Sequence, residues 1–372
     1  MINVFEPSIT FKDKLSVWKT LSQNNISGTS PVVKKFESEV AKKFDRQYGV
    51  AVTNGSNALD LSFELLHLSK GDEVIIPAFT IISCLSAVIR SGATPVFCDV
   101  DIRTWNINFE DLITKITNKT KAILMVHTYG LTSPANEILQ LCKDKNISLI
   151  EDAAEAHGQV IDDKKCGSFG EISTLSFYAN KHITTGEGGM ILTDNKEIYY
   201  EAVNMRNLDF NEKRFVHENL YWNYRMSSLQ ASLGLSQLKR LHLVIGEKTQ
   251  QGEYYLQLLK KYKNYFQLPL QKSKNIENHF WVFGIVLKFN NLRDLVMKDL
   301  KDKGIETRPF FWPLHLQPSL PEKFSTNHIF PISENLGNNG LYLPIGPHIN
   351  KAQQRYIISS LIEVIEKRIE NA

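Results

Sequence analysis

Short apolar runs alternate with helical segments through the first half of the chain, and this alternation restricts the folds that it can adopt. The runs lack the alternating polar positions of a strand with one solvated face, so they indicate strands buried on both sides. The clearest runs are EVIIPA, TPVFCDV, KAILMVHTY and SLIEDAA, and the helical segments include CLSAVIR and ANEILQLCKDK. The pattern predicts an α/β fold whose large domain has a mostly parallel central sheet flanked by helices.

A second, smaller α/β domain is predicted at the C-terminal end. There HFWVFGIVLKF has the pattern of a strand, LRDLVMKDLKDKG that of a helix ending at Gly304, and the tail from about Lys351 that of a final helix. A single long helix that starts at about Ser227 is expected to carry the chain out of the first sheet. We therefore expect a large domain over residues 1–245 and a small C-terminal domain over residues 246–372.

Charge and cysteine content exclude several classes of protein. The 43 Lys and Arg against 40 Asp and Glu give a net charge of +3, which is too small and too evenly spread for a nucleic-acid-binding face. No apolar stretch reaches the roughly 18 residues that span a bilayer, and the first residues lack the pattern of a secretory signal. The cysteines lack metal-binding spacing and are expected to be buried, reduced thiols: Cys84, Cys98, Cys142 and Cys166. We expect a cytoplasmic protein with no nucleic-acid or membrane partner and no metal site.

The segment Asn54-Gly55-Ser56-Asn57 follows an apolar strand and opens a helix. Backbone N–H groups at a helix start, together with a serine hydroxyl, form a site that suits a phosphate group. An Asn-Gly turn followed by a capping residue also has an ordinary structural use. The segment alone therefore leaves both interpretations open.

The segment after the strand SLIED concentrates acids, with Glu151, Asp152 and Glu155 ahead of His157. Burial of these carboxylates requires a cationic or hydrogen-bonding partner. Their position at a strand end is where open α/β sheets place functional sites. The alternative is a solvated loop that begins with a helix-starting acid.

A lysine, Lys181, leaves the next apolar strand and enters the glycine-rich stretch that ends at Gly189. Most lysines lie on the surface, but a desolvated amine has a lowered pKa and reacts readily with carbonyl groups. A phosphate turn, the acid Asp152 and then Lys181 are what an enzyme that holds pyridoxal phosphate needs. The phosphate, the ring nitrogen and the aldehyde each receive a partner.

Four stretches resemble motifs of the DegT-type sugar-nucleotide aminotransferases, a branch of the aspartate-aminotransferase-like fold: EDAAEAHG, SFYANKHITTGEGGM, NYRMSSLQASLGLSQL and GIETRPFFWPLHLQP. The resemblance runs through nearly the whole chain. It implies an enzyme, a transaminase that uses pyridoxal 5′-phosphate. Within the family the stretches most resemble members that aminate the 4-keto carbon of a GDP-linked 6-deoxyhexose. The implied reaction converts GDP-4-keto-6-deoxymannose to GDP-perosamine, with glutamate as amino donor, for surface polysaccharide (O-antigen) synthesis.

The resemblance also assigns roles to residues around the cofactor ring. Lys181 corresponds to the amine that binds the cofactor aldehyde and later moves the proton. Asp152 corresponds to the carboxylate that pairs with the protonated pyridine nitrogen, and it is expected to be ionised. Glu155 stands where the family has Gln or Glu near the ring hydroxyl. Lys181 and Asp152 are therefore the predicted catalytic residues.

The same comparison implies a phosphate cradle formed by Gly55, Ser56 and Ser176. Asn223, in the NYR motif, matches a residue that reaches the phosphate from the neighbouring subunit. If Asn223 does so here, the protein is a homodimer with shared active sites. Arg308 and His315 lie in a segment that resembles a substrate-facing strand, and they are predicted to contact the nucleotide diphosphate.

One position departs from the family pattern. Where the family commonly has an aromatic residue that stacks on the pyridine ring, this chain has Ile81, and Phe79 is the nearest aromatic residue that could compensate. The difference affects the contact with the ring face and not the chemistry of Lys181.

Three alternatives to this function remain open. A dTDP- or UDP-linked keto sugar could replace the GDP sugar, with amination at the 3- or the 4-position. A dehydratase on the same fold is a second possibility, although the resemblance implies a histidine in place of Lys181 in such enzymes. The third is a sensor that binds the cofactor without turnover.

Overall fold

The computed structural model describes residues 1–210, 213, 215–273 and 276–370, and a seven-stranded sheet forms its centre. The strands of this sheet are β1 (Tyr48–Val52), β2 (Glu73–Pro77), β3 (Thr94–Cys98), β4 (Thr120–Val126), β5 (Ser148–Asp152), β8 (Ile172–Ser176) and β9 (Gly189–Thr193). They lie in the order β1-β9-β8-β5-β4-β2-β3. Neighbours run parallel except at β9, which is antiparallel to both β1 and β8. The predicted mostly parallel sheet is confirmed.

Helices cover both faces of this sheet. Those of the first two thirds of the chain are α1 (Phe11–Ser22), α2 (Pro31–Lys43), α3 (Gly55–Glu64), α4 (Ile82–Arg90), α5 (Phe109–Lys115), α6 (Ala135–Lys145), α7 (Lys196–Arg206), α8 (Ser228–Leu238) and α9 (Leu241–Leu259). Successive strand residues alternate between faces, so Ile123 packs into one hydrophobic core and Leu124 into another on the opposite side. This alternation explains why the strands are apolar without interruption.

A second sheet of four antiparallel strands follows, in the order β10-β13-β15-β14. Its strands are β10 (Phe266–Gln267), β13 (Phe283–Leu287), β14 (Arg308–Pro309) and β15 (Gly340–Leu343). The helices of this part are α10 (Arg293–Asp302), α11 (Pro331–Asn339) and α12 (Lys351–Glu370). Two short hairpins complete the fold, β6 (Val160–Ile161) with β7 (Lys164–Lys165) and β11 (Lys272–Ser273) with β12 (Ile276–Glu277).

Helix α9 connects the two hydrophobic cores. Its first residue, Leu241, packs in the core beneath the large sheet, whereas Tyr255 and Leu259 pack in the core of the second sheet. The N-terminus of the chain also contacts the part of the fold that contains the second sheet, because Ile2 forms a parallel β-bridge with Ile305. The domain boundary at residue 245 thus falls inside one continuous helix, and it stays a prediction.

The prediction of a single long helix from Ser227 is wrong. The helix is interrupted at Lys239 and Arg240, between α8 and α9. At the break Arg240 forms an ion pair of 3.1 Å with Asp13 and donates a hydrogen bond of 2.9 Å to the Ser8 hydroxyl. These partners lie far away in the sequence, so the periodicity of the helical segment does not predict the interruption.

Two further expectations can be compared with the structure. All four cysteines are buried and unpaired, as predicted. Among the residues that the structure describes, no helix is long and apolar enough to cross a membrane.

Candidate active site

The carboxyl ends of β5 and β8 meet at one edge of the large sheet and bring the predicted residues together. Asp152 ends β5 and lies opposite Thr174 of the adjacent parallel strand, while Ser176 ends β8. Helix α3 starts at Gly55, shortly after β1 ends. The carboxyl edge of a parallel sheet is where α/β proteins bind their ligands.

Asp152 is the central carboxylate of this edge and is 3% exposed. It accepts hydrogen bonds of 3.0 Å from the Ala154 amide and 3.3 Å from the Thr174 hydroxyl, and the Cys84 thiol lies 3.6 Å away. Burial raises the pKa of Asp152, and the hydrogen bonds and the charge of Lys181 offset only part of that effect. A further positive group beside Asp152 would therefore stabilise its ionised form.

The preceding residue, Glu151, has the opposite environment. Its carboxylate accepts hydrogen bonds from the Gly167 and Phe169 amides and from the Ser173 hydroxyl, and it lies 2.9 Å from the His127 ring. Burial alone raises the pKa of Glu151, but the contacts with His127 and the backbone amides lower it to about 2. Its oxygens are engaged in anchoring the loop before β8, so Glu151 has a structural role.

The side chain of Lys181 packs against Glu155 and is 9% exposed. The amine lies 3.3 Å from one carboxylate oxygen of Glu155, and the other oxygen accepts a hydrogen bond of 2.8 Å from the Tyr129 amide. Burial raises the pKa of Glu155, and the charge of Lys181 opposes that rise. Glu155 therefore fixes the position of the amine near Asp152.

Two residues near Lys181 were not predicted. The Lys181 amine lies 3.8 Å from the centre of the Trp281 indole, whose N–H donates a hydrogen bond of 3.1 Å to the Asn180 carbonyl. A second lysine, Lys248 of α9, is buried and donates a hydrogen bond of 2.8 Å to the Trp281 carbonyl. Burial, with a smaller effect of the Lys181 charge, lowers the pKa of Lys248 to about 7.

The start of α3 forms the candidate phosphate cradle. The Asn54 side chain caps the helix by accepting a hydrogen bond of 2.8 Å from the Asn57 amide. The Ser56 hydroxyl lies 2.7 Å from that of Ser83. A Cβ atom at Gly55 would lie only 2.8 Å from the Ser176 Cβ, so only glycine allows the helix start to approach Ser176 this closely.

The two candidates for stacking on the cofactor ring have different environments. Phe79 is fully buried, and its ring packs 5.8 Å from Tyr129 and 6.0 Å from Phe310. Ile81 precedes α4 and is 38% exposed. Phe79 thus contributes to packing against the C-terminal sheet, whereas Ile81 leaves part of its side chain in contact with solvent.

The remaining predicted residues lie outside this cluster. Asn223 is exposed and forms a backbone bridge with Asn207. The Arg308 guanidinium lies 4.7 Å from the centre of the Phe5 ring. His315 is buried, 3.1 Å from a carboxylate oxygen of Glu334.

None of these three contacts Lys181 or Asp152 by a hydrogen bond or ion pair within the described part of the chain. Their roles stay predictions.

A family model, the DegT/DnrJ/EryC1/StrS aminotransferase family, matches residues 8–362. The chain belongs to this family. It is 38% identical over 363 residues to the GDP-perosamine synthase of Escherichia coli O157:H7, a match that covers 97% of this chain and 98% of that protein.

Two solved structures illustrate the shared fold. The aminotransferase from Psychrobacter cryohalolentis superposes with a TM-score of 0.91 at 27% identity, covering 98% of each chain. The E. coli GDP-4-keto-6-deoxy-D-mannose-3-dehydratase, solved with bound hydrated PLP, superposes with a TM-score of 0.88 at 27% identity, covering 97% of this chain and 99% of the other. The predicted fold and the predicted class of pyridoxal-phosphate-dependent transaminase are confirmed.

The side chains of this aminotransferase fit the cofactor of its family. Asp152 is a buried carboxylate whose ionised form a positive partner would stabilise, and the Lys181 amine is held in place by Glu155. The close approach of Gly55 to Ser176 leaves backbone N–H groups and hydroxyls at a helix start, the arrangement that binds a phosphate.

Proposed function

We propose that this aminotransferase moves the amino group of glutamate to the keto carbon of a nucleotide-linked 6-deoxy sugar. The acceptor that we propose is GDP-4-keto-6-deoxymannose, and the product is GDP-perosamine, a precursor for surface polysaccharide. The grouping of Lys181, Glu155 and Asp152 at one sheet edge carries the amino-transfer part of the proposal. The 38% identity to a GDP-perosamine synthase over nearly the full length supports the choice of sugar.

Each residue of the cluster has a part in holding pyridoxal 5′-phosphate. The bound cofactor supplies an aldehyde that accepts the amino group and a ring that withdraws electrons from the reacting carbon. Lys181 would provide the amine for the aldehyde, and Asp152 would pair with the protonated ring nitrogen. Glu155 would face the ring hydroxyl. Gly55, Ser56 and Ser176 would bind the phosphate.

Lys181 also moves the proton. With the amino donor bound, the Lys181 amine would be free to take the proton from the α-carbon of glutamate and to donate it again later in the amino transfer. Glu155, 3.3 Å from the amine, keeps Lys181 within reach during this transfer. The same amine acts in reverse when the keto sugar is aminated, so the two substrates react in turn and the kinetics are ping-pong.

We propose that the active enzyme is a homodimer with shared sites. Asn223 is exposed, and no contact ties it to the cluster of its own chain in the part that the structure describes. This position supports a role towards the phosphate of a neighbouring subunit. We also propose a cytoplasmic location, which is supported by four cysteines that remain unpaired.

A dehydratase is the second candidate, because one solved neighbour carries out that reaction. Lys181 argues against it here, since the resemblance implies a histidine at this position in such enzymes. A direct test incubates the protein with glutamate alone and records its absorption spectrum. Conversion to the amine form of the cofactor shows that the first half-reaction takes place, whereas an unchanged spectrum favours a sensor. A dehydratase is recognised by its product from the keto sugar, which has lost a hydroxyl group and gained no amino group.

A panel of nucleotide sugars tests the substrate. GDP-, dTDP- and UDP-linked 3-keto and 4-keto sugars are offered with glutamate, and the products are identified by mass spectrometry and NMR. We expect the GDP-linked 4-keto sugar to be aminated fastest. Faster amination of a dTDP or UDP sugar would overturn the choice of GDP sugar and leave the role of Lys181 intact. If no keto sugar is aminated although glutamate converts the cofactor, the sugar-nucleotide function is wrong.

A further inference from the structure

Helix α1 turns large apolar side chains towards solvent. Phe11 is 77% exposed and Trp18 is 62% exposed, and with the half-buried Leu15 they form one stripe along the helix. The opposite side of the helix carries Asp13 and Thr20, which are buried. The polarity of α1 is thus reversed relative to an ordinary surface helix.

Polar contacts on the inner side fix this orientation. Asp13 accepts a hydrogen bond of 3.0 Å from Gln237 and pairs with Arg240, and the Ser16 hydroxyl donates a hydrogen bond of 2.8 Å to the Ser232 carbonyl. A rotation of α1 that buried Phe11 would break these contacts and leave Asp13 without its partners. The outward apolar stripe is therefore a stable feature of the fold.

Lysines surround the stripe. At about 100° per residue, Lys12 and Lys19 flank it on one side and Lys14 on the other. A groove of about 1410 Å³ runs beside the helix and is lined by further exposed lysines: Lys35, Lys42, Lys43 and Lys239.

Among the described residues, none of these seven lysines takes part in an ion pair. Glu39 is the exposed acid that lines the groove. The whole chain has a net charge of only +3. This face therefore carries an excess of positive charge, and the rest of the protein carries a compensating excess of negative charge.

We propose that this face, which we call the α1 face, binds the surface of an anionic lipid bilayer. It comprises Phe11, Leu15 and Trp18 with the lysines Lys12, Lys14, Lys19, Lys35, Lys42, Lys43 and Lys239. An apolar stripe bordered by lysines is the pattern of helices that lie in the headgroup region, with the ammonium groups reaching the lipid phosphates. This binding goes beyond amino transfer and does not depend on it.

Charge argues for this occupant over a second copy of the chain. Two copies that met through the same face would bring seven unpaired lysines against seven others. A duplex nucleic acid is a poorer fit, because contacts to its phosphates dominate binding and the apolar stripe would remain exposed to water. The expectation of no membrane partner rested on the lack of a spanning segment, and binding at the surface needs no such segment.

Vesicle binding by the purified holoenzyme tests the proposal. Vesicles of phosphatidylcholine alone are compared with vesicles that also contain phosphatidylglycerol, at low and at high salt. We expect the anionic vesicles to bind at least about tenfold more tightly at low salt, and we expect this preference to weaken as salt rises. Equal binding to both kinds of vesicle, or binding to neither, overturns the proposal.

Two variants separate charge from apolar contact. The variant Lys12→Gln/Lys19→Gln/Lys35→Gln/Lys42→Gln should lose at least about tenfold in affinity for anionic vesicles. The variant Phe11→Ser/Trp18→Ser should weaken binding at low and at high salt alike. A matched control on α10, Leu295→Ser/Lys298→Gln/Lys301→Gln, removes an exposed leucine and exposed lysines elsewhere and should bind as the wild type does. Amino transfer should be unchanged in all three, which keeps this test independent of the enzymatic one.

Tryptophan fluorescence reports whether α1 enters the headgroup region. Brominated lipids in anionic vesicles should quench Trp18, and Trp18→Phe should bind with the quenching largely lost. Binding without quenching in the wild type would contradict insertion. If a single-stranded RNA or an acidic protein binds the same lysines while anionic vesicles do not, the α1 face serves another polyanion and the proposal is overturned.

Discussion

The Lys181 amine lies 3.8 Å from the centre of the Trp281 indole, so a lysine that follows β8 of the large sheet is held against an aromatic ring that precedes β13 of the second sheet. Lys248 reaches the carbonyl of the same tryptophan, 2.8 Å away. Trp281 therefore positions both lysines, Lys181 through its ring and Lys248 through its carbonyl oxygen.

Trp281→Leu tests the importance of this ring. A desolvated cation–π contact contributes up to about 2 kcal/mol, which corresponds to roughly a 30-fold effect. We expect Trp281→Leu to slow the reaction with glutamate by about tenfold and Trp281→Phe to slow it less. Rapid-mixing absorption measurements follow this half-reaction directly. Equal rates for the two variants would mean that Trp281 acts by filling space and that its cation–π contact with Lys181 does not affect the rate.

Lys181→Ala should abolish covalent attachment of the cofactor. The wild type, treated with borohydride, should carry a fixed label that peptide mapping places on Lys181. The variant should lose the label and at least about 10²-fold of its activity, the scale of general acid–base catalysis. Lys248 is the informative comparison, because its amine is also buried and its pKa is lowered to about 7. A label on Lys248 would refute the assignment.

Asp152→Asn keeps the shape of the side chain and removes its charge. We expect cofactor to bind and turnover to fall by roughly 10³-fold, in line with other buried electrostatic contacts in enzyme sites. Thr174→Val is the control, because it removes a single hydrogen bond to Asp152 and keeps the carboxylate. Steady-state turnover with glutamate and the keto sugar distinguishes the two variants. Near-normal turnover in Asp152→Asn would contradict its predicted role.

Mixed dimers test whether the sites are shared. Lys181→Ala and Asn223→Ala should each be strongly impaired, but random mixing should restore about a quarter of the wild-type activity, because one site per mixed dimer has both residues intact. Two tagged forms purified in sequence verify that subunits have exchanged. No recovery after verified exchange would place Asn223 in the site of its own chain.

The lowered pKa of Lys248 predicts how the free energy of unfolding depends on pH. Its pKa is about 7 in the folded protein and 10.5 in a model peptide. Between these values the unfolded chain binds a proton that the folded chain does not, so this group makes the free energy of unfolding rise with pH from about 7 to 10.5. Lys248→Met should flatten that rise, whereas Lys298→Met on the surface of α10 should not. Urea denaturation of the cofactor-free protein at several pH values measures both.

The sequence predicts the parts of the site that local patterns determine. Asp152 ends an apolar strand, Lys181 follows a second one and Gly55 starts a helix after a third, so their approximate positions follow from the order of strands in a mostly parallel sheet. Trp281 could not be found this way, because its contact with Lys181 joins residues that are remote in sequence and depends on how the second sheet packs.

Lys248 did leave a signal in the sequence. It lies on the buried stripe of α9 with Leu241, Val244, Gly252 and Tyr255. A lysine at an apolar position of a helix is unusual, since burial of its charge is unfavourable without a partner. The break before α9 left no such signal, because it depends on Ser8 and Asp13.

The pKa values of the neighbouring acids Glu151 and Asp152 shift in opposite directions, because the pleat of β5 turns the two side chains into different environments. One side chain meets Ser173 and the other meets Thr174, on opposite faces of the sheet. A slip of β5 by one residue would turn Glu151 towards the site and away from the His127 ring and the backbone amides that lower its pKa. The amino-acid content of the site would look unchanged, since one acid would replace another. The hydrogen-bonding register of β5 therefore decides which carboxylate faces the candidate site, and we expect an engineered insertion in β5 to lower activity without removing any side chain of the site.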